Sequence, residues 1–223
     1  MANRTWVGTD SGNEGKWAIA ANWAEAAIPV ATDDVYFVSG SQDVTTGPTA
    51  VITLGSINVG TKYTGSTTAT IEIDATTLDY ANKQGTMVFQ GTYPTVNVQS
   101  SSVDSPALTL DECTVTTLNI TGGQGTVLIT DGTEVSGAIN IIGANSARLE
   151  IEAGADVGGA DITMDDGRVV TYEEVDNVIM FGGTCEFVNS AGTTDTITMY
   201  EGTCRYKPTG ETILTTLLMY GGV

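Results

Sequence analysis

Carboxylates are the side chains of this sequence with the greatest capacity for chemistry. The chain carries 27 Asp and Glu residues, and they are dense between 161 and 176. Two carboxyl groups at a suitable separation are enough for glycoside hydrolysis, and a larger set of carboxylate oxygens can hold Ca²⁺. An acidic edge that keeps neighbouring strands from aggregating is the alternative interpretation. The candidate residues are Asp161, Asp165, Asp166, Glu173, Glu174 and Asp176.

The residue types that most other catalytic sites require are missing or scarce. The sequence has no histidine, which excludes Ser-His-Asp and Cys-His catalysis and histidine-ligated metal sites. Polysaccharide lyases also use a cationic residue near the substrate. The available arginines are Arg4, Arg148, Arg168 and Arg205. We therefore expect no catalytic residues, and a carboxylate-based polysaccharide lyase or hydrolase is the remaining enzymatic alternative.

The sequence motifs predict neither a cofactor nor a metal site. The run Gly158-Gly159-Ala160-Asp161 lacks the third glycine of the calcium-binding Gly-Gly-x-Gly-x-Asp repeat and does not recur. Neither an EF-hand loop nor a phosphate-binding Gly-x-x-x-x-Gly-Lys loop is present. Calcium is the one cofactor for which the abundant carboxylates still leave an argument.

The cysteines predict buried thiols. The chain has three, at Cys113, Cys185 and Cys204. An odd number in a chain without a recognisable export signal argues against a disulfide framework. Because free cysteine is among the most buried residue types, we expect reduced thiols in the core.

The charge balance excludes two classes of partner. With 27 acidic residues against 8 Lys and Arg, the net charge is −19, so nucleic acids and anionic membrane surfaces are not expected partners. The N-terminus shows no apolar signal segment, and no apolar run has the length of a membrane span. We expect the protein to be synthesised and folded in a cytoplasm.

A repeat near the C-terminus carries the strongest structural signal. Residues 180–187 (Met-Phe-Gly-Gly-Thr-Cys-Glu-Phe) are echoed by residues 199–206 (Met-Tyr-Glu-Gly-Thr-Cys-Arg-Tyr), and a third copy begins at Met219. An apolar pair, a glycine corner and an alternating strand form one repeated unit. The core ladder expected from this repeat comprises Met180, Cys185, Phe187, Met199, Cys204 and Tyr206.

Weaker copies extend the repeat into two ladders of apolar residues, each with a spacing of about 20 residues. The first ladder comprises Ile57, Leu78, Val96, Leu118, Ile139, Ile162, Val178, Ile197 and Leu217. The second comprises Ile73, Phe89, Leu110, Ile129, Ile151, Tyr172, Phe187 and Tyr206.

These ladders predict an all-β fold, a single-stranded parallel β-helix (β-solenoid) with about 20 residues per coil. The strands alternate apolar and polar residues, and the connections between them are too short for crossover helices. A hairpin-rich β-sandwich also has short strands and regular turns, but it gives no reason for one phrase to recur at a constant offset. The solenoid is expected to occupy residues 51–223.

Residues 1–50 do not follow the repeat and are expected to form an N-terminal cap. The first coil of a solenoid exposes apolar side chains and unpaired strand edges that must be covered. All three tryptophans, Trp6, Trp17 and Trp23, lie here, and residues 17–27 are expected to include a short helix. A sugar-binding aromatic platform is the functional alternative for the tryptophans.

The cap segment also carries a recognisable pattern, Trp-x-Gly, Gly-x-Trp, Ala-Asn-Trp, Pro and Asp-Asp-Val in this order. Its residues include Trp6, Gly8, Trp17, Asn22, Trp23, Pro29, Asp33 and Asp34. The pattern resembles the opening of phage-encoded and bacterial surface β-helix proteins. Among these, phage capsid decoration (cement) proteins are the closest guess, because no autotransporter anchor is recognisable.

The resemblance implies a virion structural protein that stabilises a capsid by binding its outer surface. Its expected partner is the major capsid protein or another virion protein, and the expected assembly is a homo-oligomer, preferably a trimer. Because the sequence stops within a repeat, a partner subunit or a continuation of the chain is expected to cover the last coil. The alternative is a carbohydrate- or receptor-binding module of a tail fibre or bacterial adhesin, with exposed tyrosines such as Tyr63, Tyr80 or Tyr93 on one edge.

Overall fold

The computed structural model describes residues 1–67, 70–99, 106–143, 146–188, 193–207 and 213–221. Almost every regular element in these ranges is a β-strand. The strands are β1 (Asn3–Thr5), β2 (Asp34–Gly40), β3 (Thr53–Tyr63), β4 (Ile71–Glu72), β5 (Asp74–Tyr80), β6 (Met87–Val98), β7 (Leu108–Ile120), β8 (Thr126–Ile129), β9 (Glu134–Ile141), β10 (Arg148–Ile151), β11 (Asp161–Met164), β12 (Arg168–Thr171), β13 (Asn177–Met180), β14 (Thr184–Val188), β15 (Thr193–Met199), β16 (Thr203–Lys207) and β17 (Ile213–Met219).

These strands wind into a parallel β-solenoid of about eight turns with about 20 residues per turn. Each strand pairs with a strand about one turn later in the chain, and the paired strands of the ladder are parallel. The predicted fold class is therefore confirmed, and the hairpin-rich sandwich is excluded. The rest of each coil, which includes a strand of another face, is the crossover connection that joins two parallel neighbours, so each coil stacks on the preceding one.

The first face of the solenoid is a continuous stack of strands. It consists of β2, β3, β5, the C-terminal halves of β6 and β7, and then β9, β11, β13, β15 and β17. All nine residues of the first predicted ladder lie in register here, and Val35 extends the ladder by one coil. The ladder from Val35 to Ile197 is buried, so the period-2 alternation correctly identified the inward side.

The second face consists of β4, β8, β10, β12, β14 and β16 together with the N-terminal halves of β6 and β7. Two of its predicted anchors are wrong. Ile71 is in register with Phe89 where Ile73 was expected, and Thr171 is in register with Phe187 where Tyr172 was expected. The corners of these coils differ in length, so a spacing of about 20 residues did not locate the paired residue to within one or two positions.

The repeat near the C-terminus forms the expected columns. Cys185 is in register with Cys204, and the rings of Phe187 and Tyr206 lie 5.5 Å apart between centroids. Met180 is in register with Met199. Met180, Cys185, Phe187 and Met199 are buried, whereas Cys204 and Tyr206 are partly buried against the core. All three cysteines are free thiols.

The N-terminal end of the core is closed by an aromatic cluster. Trp23 makes edge-to-face contacts with Trp6 and Trp17, at centroid distances of 5.1 and 4.7 Å, and all three rings surround Phe37. The indole N–H of Trp23 donates to the Trp17 carbonyl at 2.9 Å. The indole N–H of Trp6 likewise donates to the Gln42 carbonyl at 3.2 Å, and the three buried rings together cover the open end of the first coil.

The other motif residues of the cap hold its loops in place. Gly8 has φ +57°, and a Cβ there would lie 2.3 Å from Gln42 Cγ. The Asn22 side chain is buried and donates to two main-chain carbonyls, at 2.6 and 3.0 Å. Asp33 accepts a hydrogen bond from Arg4 Nε at 2.9 Å, and Asp34 accepts one from the Ser56 hydroxyl at 2.8 Å. Each of these residues has a structural role.

The cap contains less helix than expected. Within residues 17–27 the only helical element is a three-residue 3-10 turn at Ala20–Asn22, because Asn22 uses its side chain to bind the preceding loop, which competes with helix propagation. The cap segment also contributes β1 and β2. The first of these strands pairs in parallel with β2, and β2 pairs in parallel with β3. Residues 1–50 therefore both cover the first coil and supply its first strands.

Candidate functional site

The most regular polar feature of the outer surface is a column of amides on the first face. Each member follows directly after an inward apolar residue of the first ladder, so it points away from the core. Successive members are in register from coil to coil. We call this set the amide column, and it consists of Asn58, Asp79, Asn97, Asn119 and Asn140.

Hydrogen bonds connect four members of the amide column along the solenoid axis. Asn140 Nδ2 donates to Asn119 Oδ1 at 2.9 Å, Asn119 Nδ2 donates to Asn97 Oδ1 at 2.9 Å, and Asn97 Nδ2 donates to Asp79 Oδ1 at 2.7 Å. The carboxylate of Asp79 can only accept, which fixes the orientation of Asn97 and, through it, of the other amides. Asn97, Asn119 and Asn140 therefore each keep one N–H that is not used in the chain, whereas the Asn58 amide donates to the Val35 carbonyl at 3.3 Å and to the Ser56 hydroxyl at 2.8 Å.

A groove runs beside one end of the amide column. Its floor is low because the small residues Gly60, within β3, and Ala81, directly after β5, occupy the positions where Val38 and Gln99 stand in the flanking coils. The groove has a volume of about 370 Å³. Asn58, Asp79 and Asn97 contribute to its lining, and their side chains are partly exposed. The groove therefore combines an apolar floor with amide and carboxylate groups at regular intervals.

The arrangement suits a ligand with many hydroxyl groups. Side chains in successive coils are about 4.8 Å apart, so the remaining N–H groups of Asn97, Asn119 and Asn140 form a row of donors with that spacing, which begins in the groove at Asn97. Hydroxyl groups can both accept from such donors and donate to amide or carboxylate oxygens. A groove with these properties can bind an extended, polyhydroxylated chain that lies along the solenoid axis.

The structure separates most of the acidic residues singled out from the sequence. Asp165 and Asp166 accept hydrogen bonds from the main-chain N–H groups of Gly143 and Gly167, both at 2.7 Å. Glu173 accepts one from the N–H of Gly154. These carboxylates cap turns of the solenoid and do not converge.

Two of the acidic residues do come together, with a third that the sequence reasoning missed. Asp176 hydrogen-bonds Asp195 and lies close to Asp161, which itself accepts a bond from Asn177 at 2.8 Å. Partial desolvation and then the neighbouring Asp195 carboxyl raise the pKa of Asp176. Glycosidase carboxyl groups stand roughly 5 to 9 Å apart, whereas Asp176 and Asp195 share a hydrogen bond. The absence of catalytic residues stays a prediction.

The tyrosines expected on a binding edge are not there. Tyr63, Tyr80 and Tyr93 are all buried, and their hydroxyl groups donate to main-chain carbonyls at 2.6, 2.6 and 3.1 Å. Burial raises the pKa of Tyr63 and Tyr93. This prediction was wrong because tyrosine can fill a core position when its hydroxyl reaches a carbonyl. Tyr80, two residues after Leu78, already lies on the inward side by period-2 alternation.

Among the described residues, four of the eight basic side chains form ion pairs with carboxylates. The ion pairs of the arginines are Arg4 with Asp33, Arg148 with Glu150 and Arg168 with Glu186. Lys207 binds the second oxygen of Glu186 at 2.8 Å. Hydrogen bonds from Lys207 and Arg168 lower the pKa of Glu186 to about 2. Arg205 is exposed on the same face of the solenoid, in register with Glu186.

The described residues contain neither a cluster of metal ligands nor a helix that could span a membrane. Within the ranges that the structure describes, no group of three or more metal-ligating side chains is close enough to hold an ion. In the same part of the chain, no helix has the length and apolar character needed to cross a membrane.

The sequence contained a signal for the amide column that the sequence reasoning missed. In five successive coils the residue after the apolar anchor is Asn or Asp, as in Ile57-Asn58, Val96-Asn97 and Leu118-Asn119. The prediction rested on the inward residues of the ladder, so it did not include the outward repetition.

Comparison of the chain with protein-family models, with curated proteins and with solved structures found no match.

Proposed function

We propose that this protein is a non-enzymatic binding module whose groove holds an extended, uncharged glycan chain. The observation that carries the proposal is the amide column beside the groove, because it presents hydrogen-bonding groups at a constant interval along a straight path. A polymer of similar units can meet such a row with one contact per coil. The rigid parallel sheet beneath the groove supports recognition without rearrangement.

Charge supports an uncharged ligand over an anionic one. The chain has a net charge of −19, and Asp79 lies in the groove itself. An anionic polysaccharide would be repelled by both. A straight groove also favours glycans with an extended backbone, such as β-1,4-linked chains, over strongly coiled ones.

The test is binding to immobilised cellulose, chitin and β-mannan, with alginate and heparin as anionic comparisons. We expect at least one of the uncharged β-1,4-linked glycans to bind and the anionic ones not to bind. Ala81→Leu fills the groove without changing charge and is expected to lower the affinity at least ten-fold. Thr114→Leu, an exposed position of β7 away from the groove lining, is the matched control and should bind normally.

Binding to none of the three uncharged glycans would overturn the proposal. Unchanged binding of Ala81→Leu would also overturn it, because the ligand would then lie elsewhere. Shortening of a glycan during incubation would contradict the non-enzymatic role. In that case, loss of cleavage in Asp165→Asn or Asp166→Asn would support the carboxylate-based hydrolase.

We also propose a location for this module, the outer surface of a virus particle. The resemblance of residues 6–35 to the opening of phage-encoded and surface β-helix proteins supports this second proposal. The expected partner is the major capsid protein or another virion protein, and the expected form is a homo-trimer. Quantitative mass spectrometry of purified particles tests it, since a copy number comparable with the number of capsomers is expected and absence from the particles would refute it.

A further inference from the structure

Three aromatic rings are stacked on the outside of the solenoid, where the core does not account for them. Phe181, Tyr200 and Tyr220 follow the inward methionines of β13, β15 and β17 and point outwards. Their exposed fractions are 51, 44 and 69 %. Neighbouring ring centroids are 5.0 Å apart in both pairs, and the interplanar angles are only 4 and 11°. An exposed apolar cluster of this kind marks an interaction site.

The corners of the repeat explain how these rings reach the surface. Gly183 and Gly202 have φ values of +78 and +100°, which other residues rarely adopt. A Cβ at Gly182 would collide with the Asp165 carbonyl at 2.1 Å. The chain therefore turns sharply directly after each aromatic residue, and the inward methionine and outward aromatic residue are fixed as a pair.

The exposed fractions show that part of each ring is uncovered. The planes of neighbouring rings are nearly parallel and their centroids are 5.0 Å apart, so the rings follow the spacing of the coils. The uncovered portions form an apolar surface with one ring per coil. Phe181 and Tyr200, each next to another ring of the stack, retain about half of their area for a ligand.

The stack belongs to the same column of residues that forms the floor of the groove. In each coil this column is occupied by the residue that directly follows the strand of the first face. Its main-chain N–H donates to the preceding coil at 2.7–2.9 Å for Ala81, Gln99, Thr121, Ile142, Phe181, Tyr200 and Tyr220, and at 3.1 Å for Asp165. The groove and the stack are therefore two parts of one straight path. From Ala81 to Tyr200 the path covers six strand spacings, or about 29 Å.

We propose that the Phe181–Tyr200 stack is a second subsite for the same uncharged glycan that lies in the groove. This inference rests on the proposed function and identifies the part of the ligand that the stack contacts. The C–H groups of a pyranose ring form an apolar face that packs against aromatic rings, while its hydroxyl groups remain in water. The neighbouring carboxylates Asp165 and Glu201 disfavour an anionic ligand here as well.

Two subsites on one path make binding depend on the length of the glycan. A disaccharide can occupy only the groove or only the stack, because three strand spacings, or about 14 Å, separate Thr121 at the end of the groove from Phe181. A long chain can occupy both, and the second contact then forms at a high effective concentration. The stack should therefore increase the affinity for long chains and contribute little to the groove binding of short ones.

The experiment measures the affinity of disaccharides and of soluble polymers by isothermal titration calorimetry. The probes are cellobiose, chitobiose and mannobiose, with hydroxyethyl cellulose, glycol chitin and galactomannan as the polymers. We expect the variant F181A/Y200A to bind the disaccharide with affinity changed less than two-fold and the polymer at least ten-fold more weakly. Tyr200→Phe keeps the ring and should bind both as the original chain does.

The failure of this inference is distinguishable from the failure of the proposed function. If Ala81→Leu weakens binding but F181A/Y200A binds the polymer normally, the stack is not a subsite and the groove proposal survives. If no probe binds any variant, the proposed function fails. If F181A/Y200A instead changes the sedimentation coefficient and leaves polymer affinity unchanged, the stack contacts a second copy of the chain, and the inference is overturned. Unchanged circular dichroism of F181A/Y200A, together with normal binding of Tyr200→Phe, separates loss of contact from loss of fold.

Discussion

Replacing Asn97 by aspartate reverses the sign of one contact in the amide column. In the native protein, Asn97 Nδ2 donates to Asp79 Oδ1 at 2.7 Å, and Asn97 Oδ1 accepts from Asn119 at 2.9 Å. Asn97→Asp keeps the shape and the second bond but removes the donor that faces Asp79. It also places two carboxylates in neighbouring coils.

The expected cost at pH 7 follows from two contributions. A hydrogen bond to a charged acceptor contributes about 1.5 to 3 kcal/mol, with the lower end appropriate to a partly exposed site. Two charges about 5 Å apart repel by about 1 to 3 kcal/mol for effective dielectric constants between 80 and 20. Asn97→Asp should therefore destabilise the protein by roughly 2.5 to 4.5 kcal/mol at low salt. Asn97→Ala lacks the repulsion and should cost about 1 to 2 kcal/mol.

Urea unfolding at pH 7 in low salt and in about 1 M NaCl, followed by circular dichroism, measures these differences. Because salt screens the repulsion between two partly exposed charges, the penalty of Asn97→Asp should fall at high salt towards that of Asn97→Ala. The double variant D79N/N97D restores one donor and one acceptor to the pair and should recover most of the stability lost in the single variant. Equal stability of Asn97→Asp and Asn97→Ala in low salt would refute the polarised hydrogen-bond chain.

Four further predictions concern the cap, an ion pair, the thiols and calcium. Trp23→Ala should reduce the free energy of unfolding by about 3 to 5 kcal/mol, measured by urea titration, and a loss below 1 kcal/mol would show that the aromatic cluster is dispensable. The lowered pKa of Glu186 means that its ion pairs stabilise the fold fully above 4.5 and are lost as pH falls towards about 2. Melting temperatures across that interval should thus fall less steeply for Glu186→Gln than for the native chain. Burial raises the pKa of Cys185 well above 9 and that of Cys204 to about 11, so at pH 8 Ellman's reagent should label both roughly 100-fold more slowly than free cysteine until urea unfolds the protein. Neither EDTA nor millimolar Ca²⁺ should change the melting temperature, and a rise of several degrees with Ca²⁺ would reveal a calcium site.

The inward side of the first face could be read from the sequence almost residue by residue. Around Ile57, Leu78 and Val96, apolar and polar residues alternate strictly, so only one side of each strand could enter the core. The recurrence of an apolar residue at the equivalent position of each coil predicted the register in which these strands pair. The second face was less accurate because its corners vary. At Thr171, a polar residue is buried with its hydroxyl bonded to a main-chain carbonyl at 2.9 Å, and apolar periodicity cannot signal such a position.

The candidate site was harder to predict than the fold because it lies on the outward side. No hydrophobic pattern selects outward residues, so only comparison of equivalent positions between coils could reveal the amide column. The groove depends on small side chains such as Gly60 and Ala81, whose significance appears only once the flanking coils are in place. The stacking of Phe181 on Tyr200 was implicit in the repeat, but the sequence alone did not show that both rings face the solvent.

The hydrogen-bond chain from Asn140 to Asp79 gives the outer surface a direction as well as a pattern. Every amide dipole in it has the same sense, and the chain ends on a carboxylate at one end only. A glycan also has two unlike ends, so its two possible orientations on this surface are not equivalent in energy. A module built in this way can register which way a polymer runs, and many copies on one surface would align the chains that they hold.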